Sequence, residues 1–261
     1  MDIRLNGRTA LITGGSMGLG KAMATRFAES GAAVAILARR QDILDEAVAD
    51  IRAKAPGATV AGIACDVTRA DEIEKAVATA IRDLGKVDIL VNNAGSSARG
   101  AFLSLTDNDW QADFDLKLFA AIRLTRLLMP GMIERNWGRV INVLNTAAKA
   151  PPAEGAPTAV TRAAGMALTK ILASEGAPHN VLVNALLVGL IDSDQWVRRH
   201  KTQAVNMPYE DFLAGMAKGI PLNRLGRSEE FANIACFLAS DAASYITGTA
   251  INVDGGRAPV V

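Results

Sequence analysis

The run Thr13-Gly14-Gly15-Ser16-Met17-Gly18-Leu19-Gly20 follows a short apolar segment and opens an amphipathic one. Glycines at such a junction let backbone N–H groups come close to an anion, and a helix that starts there adds its positive dipole end. A pyrophosphate is the ligand such a turn suits, with Gly14, Ser16, Gly18 and Leu19 around it. The competing reading is a turn that only joins two elements, because a glycine-rich turn taken alone is weak evidence. Further along, Leu37-Ala38-Arg39-Arg40 offers no carboxylate where an adenosine ribose would need one. A guanidinium at Arg39 instead suits a 2′-phosphate through charge-assisted bonds. These residues favour NADP(H) over NAD(H); the plainer alternative is a solvated arginine pair at the start of a helix.

Such a turn works only if a sheet and helices hold it. Short apolar runs bounded by turn residues alternate with longer amphipathic stretches along the whole chain, the pattern of repeated βαβ units. Strands are expected at Thr9–Thr13, Ala33–Leu37, Val60–Ala64, Val87–Val91, Arg139–Val143, Leu182–Leu187 and Ala250–Val253. Helices are expected from Lys21 to Ser30, closed by Gly31, from Asp42 to Lys54 before Pro56, and from Asp71 to Leu84, closed by Gly85. The fold class is therefore α/β, a doubly wound Rossmann-type domain with a seven-stranded parallel sheet and helices on both faces. No repeat, linker or low-complexity tract divides the chain, so residues 1–261 read as one domain. The largest break, Val188 to Pro221, leaves a strand's carboxyl end and reads as a lid over a site there, or else as a surface excursion that touches no ligand.

Composition narrows the partners. The chain has 261 residues, half of them apolar, and a net charge of +1, which gives no basic field for nucleic acid or an anionic membrane surface. Met1-Asp2-Ile3-Arg4 lacks the apolar core of a signal peptide, and no apolar run approaches the roughly 20 residues that span a bilayer. A cytoplasmic protein acting on a small molecule is expected. Cys65 and Cys236 are isolated and read as buried thiols, with no metal site suggested. Trp110, Trp137 and Trp196 read as packing anchors, since no basic aromatic stripe accompanies them.

Several blocks together resemble the short-chain dehydrogenase/reductase superfamily, in particular its 3-oxoacyl-ACP-reductase-like members. Gly14, Gly18 and Gly20 have the TGxxxGxG spacing, Asn92-Asn93-Ala94-Gly95 resembles the NNAG block, and Asn252-Val253-Asp254-Gly255-Gly256 resembles the terminal NVDGG. The resemblance implies that Asp66 holds the adenine and that Asn93 supports the cofactor. It also implies a homotetramer, with the apolar helices Leu116–Ile133 and Ala159–Leu172 packed across a two-fold axis.

In that family a tyrosine, a lysine, a serine and an asparagine form the acid–base relay beside a hydride donor. Aligned on Gly138 to Val143, which resembles the family's fifth strand, the serine position falls at Asn145, the tyrosine position at Thr158 and the lysine position at Arg162, and Trp110 to Leu118 resembles the family's asparagine-bearing segment with Lys117 at that place. All four types differ. Tyr209 and Tyr245 are the only tyrosines, and Leu213 and Thr249 stand four residues beyond them, so no YxxxK exists. Val188-Gly189 also stands where the family usually has Pro-Gly. An aliphatic hydroxyl is a far weaker acid than a phenol, and an arginine is a cation that does not exchange its proton.

Three readings stay open. The first is a reductase with a rebuilt proton donor, led by Lys117, with Asn145 on the substrate carbonyl and His200 or Tyr209 reaching in from the lid. The plainer alternative for Lys117 is a solvated helix lysine. The second is a nucleotide-binding sensor or supporting subunit without turnover. The third is non-redox chemistry in which Lys117 and Arg162 stabilise developing negative charge.

Overall fold

A computed structural model describes residues 3–192 and 194–261; Met1, Asp2 and, within the lid segment, Ser193 lie outside the described residues. Seven strands form one parallel sheet: β1 (Thr9–Thr13), β2 (Ala33–Ala38), β3 (Val60–Ala64), β4 (Ile89–Asn92), β6 (Gly138–Asn145), β8 (Val181–Val188) and β11 (Ala250–Val253). They lie in the order β11-β8-β6-β4-β1-β2-β3. The chain winds outward from β1 to β3 and then crosses to β4 on the other side of β1. The carboxyl ends of β1 and β4 therefore flank the switch point where ligands of such sheets bind.

The strands read as unbroken apolar runs because both faces of the sheet are covered. Ala10, Ile12, Val34, Ile36, Ile89 and Val91 face one core, and Leu11, Ala35, Leu37 and Leu90 face the other. The first core is completed by α1 (Gly18–Glu29), α2 (Gln41–Lys54) and α9 (Ser228–Ala239), through Met23, Phe27, Leu44, Ile51, Phe231 and Leu238. The second uses α3 (Ala70–Leu84), α5 (Ala120–Glu134) and α6 (Thr158–Gly176), through Ile73, Val77, Leu124, Leu128 and Ala173. Gly31, at φ +95°, follows α1, and Gly85, at φ +81°, caps α3 with its N–H on the Ile81 carbonyl at 2.8 Å. These are the left-handed termini that favour glycine. Cys65 and Cys236 are buried free thiols.

Two features differ from the sequence expectation. Residues 188–221 are largely ordered as helix: α7 (Asp194–Gln203) and α8 (Tyr209–Ala217) follow β9 (Ile191–Asp192), which pairs with β10 (Gly226–Arg227). A small apolar cluster of Leu190, Trp196, Leu213, Met216, Ala217, Ile220 and Leu225 holds this segment together. Among the described side chains, the charged Arg199, Lys201, Glu210 and Asp211, which make it read as loop, are exposed on short amphipathic helices. Second, β5 (Arg99–Gly100) pairs antiparallel with β7 (Ala156–Pro157), and this two-residue clasp ties the segment after β4 to the start of α6. Among the described residues no helix is long and apolar enough to cross a membrane.

Candidate active site and cofactor cradle

At the switch point the glycine turn and the Asn92–Gly95 block are bonded together. Thr13 Oγ1 accepts the backbone N–H groups of Asn93 and Ala94, both at 2.9 Å, and donates to the Val91 carbonyl at 3.3 Å. Asn93 Nδ2 donates in return to the carbonyls of Thr13 at 2.8 Å and Gly14 at 3.2 Å. One side-chain pair thus sets the end of β1 against the end of β4. Gly14 and Gly18 sit at φ +63° and +52°. Gly20 is required for a different reason, since a Cβ there would lie 2.1 Å from the Gly14 carbonyl oxygen and 2.7 Å from Asn93 Nδ2. Ser16 and Leu19 are half-buried beside the turn, and α1 has no acidic residue in its first turn to oppose a bound anion.

The other residues expected at the cofactor lie past the ends of β2 and β3. Arg39 is exposed just past the end of β2, and among the described residues its side chain has no hydrogen bond or ion pair. Asp66, past the end of β3, is fixed in orientation: Oδ1 accepts from Thr68 N at 3.0 Å and Thr68 Oγ1 at 2.8 Å, and its own N–H donates to Glu72 Oε2 at 2.8 Å. Gly189 approaches Asp254 so closely that a Cβ on it would lie 2.4 Å from the Asp254 Cβ. The position after Val188 therefore depends on the absence of a side chain. The residues present fit a dinucleotide: without side chains at Gly14 and Gly20 the turn packs tightly on Asn93 and Ala94 and leads straight into the N-terminus of α1, whose first turn holds no acid to oppose a phosphate.

Next to the cradle lies a buried polar knot. Asp113 comes from the end of α4 (Asp107–Phe114) and Lys117 from a π-helical turn, Asp115–Phe119, between α4 and α5. Lys117 Nζ donates to the Asp113 carboxylate and, at 2.7 Å, to Thr158 Oγ1. Thr161 Oγ1 donates to Asp113 Oδ2 at 2.5 Å, and Thr158 Oγ1 also accepts the Ala98 N–H at 3.0 Å. The Lys117 and Asp113 side chains are 1% and 2% exposed, so the solvated-lysine alternative does not hold. Burial pushes the Lys117 ammonium down to about 8, helped by the Arg162 cation and opposed by Asp113.

Arg162 shares the α6 face with Thr158 but turns its guanidinium to the Val143 carbonyl, at 2.6 Å. Gly95 makes room for it, since a Cβ there would lie 2.4 Å from Nη2. Burial lowers this guanidinium to about 10, with Asp113 opposing the shift. Asn145 ends β6, and its Oδ1 is buried without a partner, as is Arg162 Nε. The structure thus joins Lys117 to Thr158 and brings Arg162 close enough to act on Lys117 electrostatically.

His200 and Tyr209, in the segment expected to form a lid, are engaged with neighbours in that segment. Tyr209 OH donates to Asp192 Oδ1 at 2.6 Å, His200 Nε2 bonds the Met207 carbonyl at 2.6 Å, and both rings pack on Phe212. Asp113 and Thr161 are the members of the knot that the sequence reading misses. The available signal was an acid four residues before Lys117, a spacing that faces two side chains on one helix.

The chain is similar to known proteins along nearly its whole length. A family profile described as enoyl-(acyl carrier protein) reductase matches residues 14–258. Human dehydrogenase/reductase SDR family member 4 is 35% identical over 257 residues, 97% of this chain and 88% of the relative. The 3-oxoacyl-[acyl-carrier-protein] reductase FabG of Aquifex aeolicus is 33% identical, with 98% and 99% covered. Among solved structures, L-sorbose reductase of Gluconobacter frateurii, complexed with NADPH and L-sorbose, matches with a TM-score of 0.95 at 35% identity over 100% of both chains. YwfH, an NADPH-dependent reductase of bacilysin biosynthesis, matches with a TM-score of 0.91 at 32% identity over 97% of this chain and 99% of its own. With a profile spanning nearly all of it and relatives aligned end to end, the chain belongs to the short-chain dehydrogenase/reductase family of NAD(P)H-dependent oxidoreductases.

Proposed function

We propose that this protein is an NADP(H)-dependent oxidoreductase of a carbonyl or alcohol substrate, working with an altered relay in which Lys117 and Thr158 handle the proton. The observation that carries this reading is the 2.7 Å bond from Lys117 Nζ to Thr158 Oγ1, because it joins an ionisable donor to the hydroxyl that the family resemblance assigns to proton transfer. Gly14, Ser16, Gly18 and Leu19 would hold the pyrophosphate, Arg39 the 2′-phosphate, Asp66 the adenine, Asn93 the frame of the turn, and Arg162 the ribose nearest the reacting ring. L-sorbose reductase complexed with NADPH and the NADPH-dependent YwfH support this choice of cofactor.

The bound cofactor supplies the hydride in reduction and accepts it in oxidation. In reduction, the Asn145 side-chain amide holds the carbonyl oxygen, Thr158 Oγ1 passes it a proton, and Lys117 replaces that proton from its ammonium. Lys117 ends as a neutral amine and, being sealed in the resting fold, regains its proton only when the site opens to solvent between turnovers. An aliphatic hydroxyl is too weak an acid to do this unaided, so the lysine is the proton's source. The chain acts as a single cytoplasmic domain in this reading. The half-exposed apolar side chains of Phe119, Leu127, Val160 and Ile171 on α5, α6 and the π-helical turn support assembly into a homotetramer.

A second reading rests on the burial of the same pair. With Lys117 and Asp113 almost sealed from solvent, the knot would brace a protein that binds NADPH without turning it over. The deciding experiment measures NADPH binding by fluorescence and NADPH oxidation against a panel of ketones, aldehydes and sugars. Binding with turnover that disappears in Lys117→Met supports the reductase. Binding with no turnover on the whole panel overturns it in favour of the second reading.

A further inference from the structure

We propose that Asp113 is the positioning residue of this site, the counter-charge that keeps Lys117 an ammonium and holds it against Thr158. The proposal deepens the reductase reading and rests on it for its catalytic consequence. Three features point to it. Asp113 is buried at the end of α4, outside the glycine cradle, and both of its carboxylate oxygens are engaged, Oδ1 by Lys117 on the adjoining π-helical turn and Oδ2 by Thr161 of α6. Thr161 Oγ1 takes Oδ2 at 2.5 Å, which fixes the plane of the carboxylate and turns Oδ1 toward Lys117. Thr158 Oγ1 lies 3.4 Å from Oδ1, too far for a strong bond, so the ammonium stands between the two and bridges them.

Energetics argue against a purely packing role. A buried ion pair is commonly matched or bettered in stability by apolar side chains of the same volume, so core formation alone does not call for one here. A buried lysine without a partner gives up its proton. The charged groups acting on Lys117 are Asp113 and, from α6, Arg162. Arg162 opposes protonation, which leaves Asp113 as the group favouring the ammonium. Burial and Arg162 together would otherwise leave a neutral amine with no proton to give.

The test uses the full-length protein with NADPH bound, carrying ε-13C-labelled lysine, with the resonance of Lys117 identified by its loss in Lys117→Met. Asp113→Asn keeps the size and one oxygen acceptor while removing the charge. The expected result is a Lys117 titration midpoint at least about one pH unit lower than in the parent protein, a tenfold change in proton affinity, with NADPH bound equally well within about threefold. Asp113→Glu, which restores the charge, is expected to return the midpoint most of the way. A midpoint unchanged in Asp113→Asn overturns the proposal. A shifted midpoint in a protein that reduces nothing on the panel supports the counter-charge role and removes the reductase reading instead. Should Asp113→Asn fail to fold, the pair Asp113→Asn with Lys117→Gln removes both charges and is expected to fold and bind NADPH. Failure of that pair as well would assign Asp113 a structural role independent of Lys117 and overturn the proposal.

Discussion

Lys117 and Thr158 come from different helices, 41 residues apart, and meet at 2.7 Å in the buried interior. Two of the three ammonium protons are directed, one to Asp113 and one to Thr158. Replacing Lys117 by Met removes the donor while keeping most of the volume. Turnover is expected to fall by roughly 10²- to 10⁴-fold, the usual worth of a positioned acid or base. NADPH affinity, measured by fluorescence titration, should change by less than about threefold, because the cradle is built from other residues.

The lowered proton affinity of Lys117 sets a direction for pH. With its ammonium titrating at about 8, carbonyl reduction, which needs the protonated form, should hold below that pH and decline above it. Alcohol oxidation needs the neutral amine and should rise over the same interval. Steady-state rates in both directions between pH 6 and about 9.5 check this; parallel profiles would exclude Lys117 as the group that titrates.

Arg39 stands exposed beyond β2 with no acid beside it at Ala38. Arg39→Asp places a carboxylate there, which repels a 2′-phosphate and accepts bonds from a free ribose hydroxyl. The loss of a charge-assisted contact and the gain of a repulsion should weaken NADPH binding at least about tenfold and narrow or reverse the preference over NADH. Isothermal titration with both nucleotides reads the ratio directly.

Gly20→Ala sets two effects against each other. Alanine is favoured over glycine within a helix by about 1 kcal/mol, yet the new methyl would lie 2.1 Å from the Gly14 carbonyl oxygen. Backbone cannot yield that distance without moving the turn, so the clash decides the sign. Cofactor affinity is expected to drop more than about tenfold, while circular dichroism shows the helix content retained.

Much of the scaffold was legible because periodicity and turn chemistry agree locally. The strands at Thr9–Thr13, Val60–Ala64 and Ala250–Val253 fall at the expected bounds, and Gly31 and Gly85 end their helices as glycines should. Strand ends at Asn145 and Val188 run past expectation because β6 and β8 keep pairing with each other as far as Asn145 and Val188, with Val253 of β11 pairing Val188 from the other side. The polar knot was only half legible. Lys117 and Thr158 were singled out, but Asp113 looked like one more acid in a helix bearing several, and Thr161 like a neutral helix residue. Their significance comes from the tertiary approach of α4 to α6, which no local pattern encodes. The helical order of residues 194–217 was hidden for a similar reason, since its few apolar residues make sense only against Leu190, Ile220 and Leu225.

The clasp between β5 and β7 limits how this cleft can open. Arg99 faces Pro157 across the pair, and beside it Thr158 and Ala98 exchange bonds in both directions, N–H to carbonyl at 3.3 Å and N–H to hydroxyl at 3.0 Å. The segment after β4 and the first turn of α6 are thereby one mechanical part. Any movement of that segment pulls on the very hydroxyl that Lys117 holds, so displacing residues 98–100 also loosens the pair of Lys117 and Thr158.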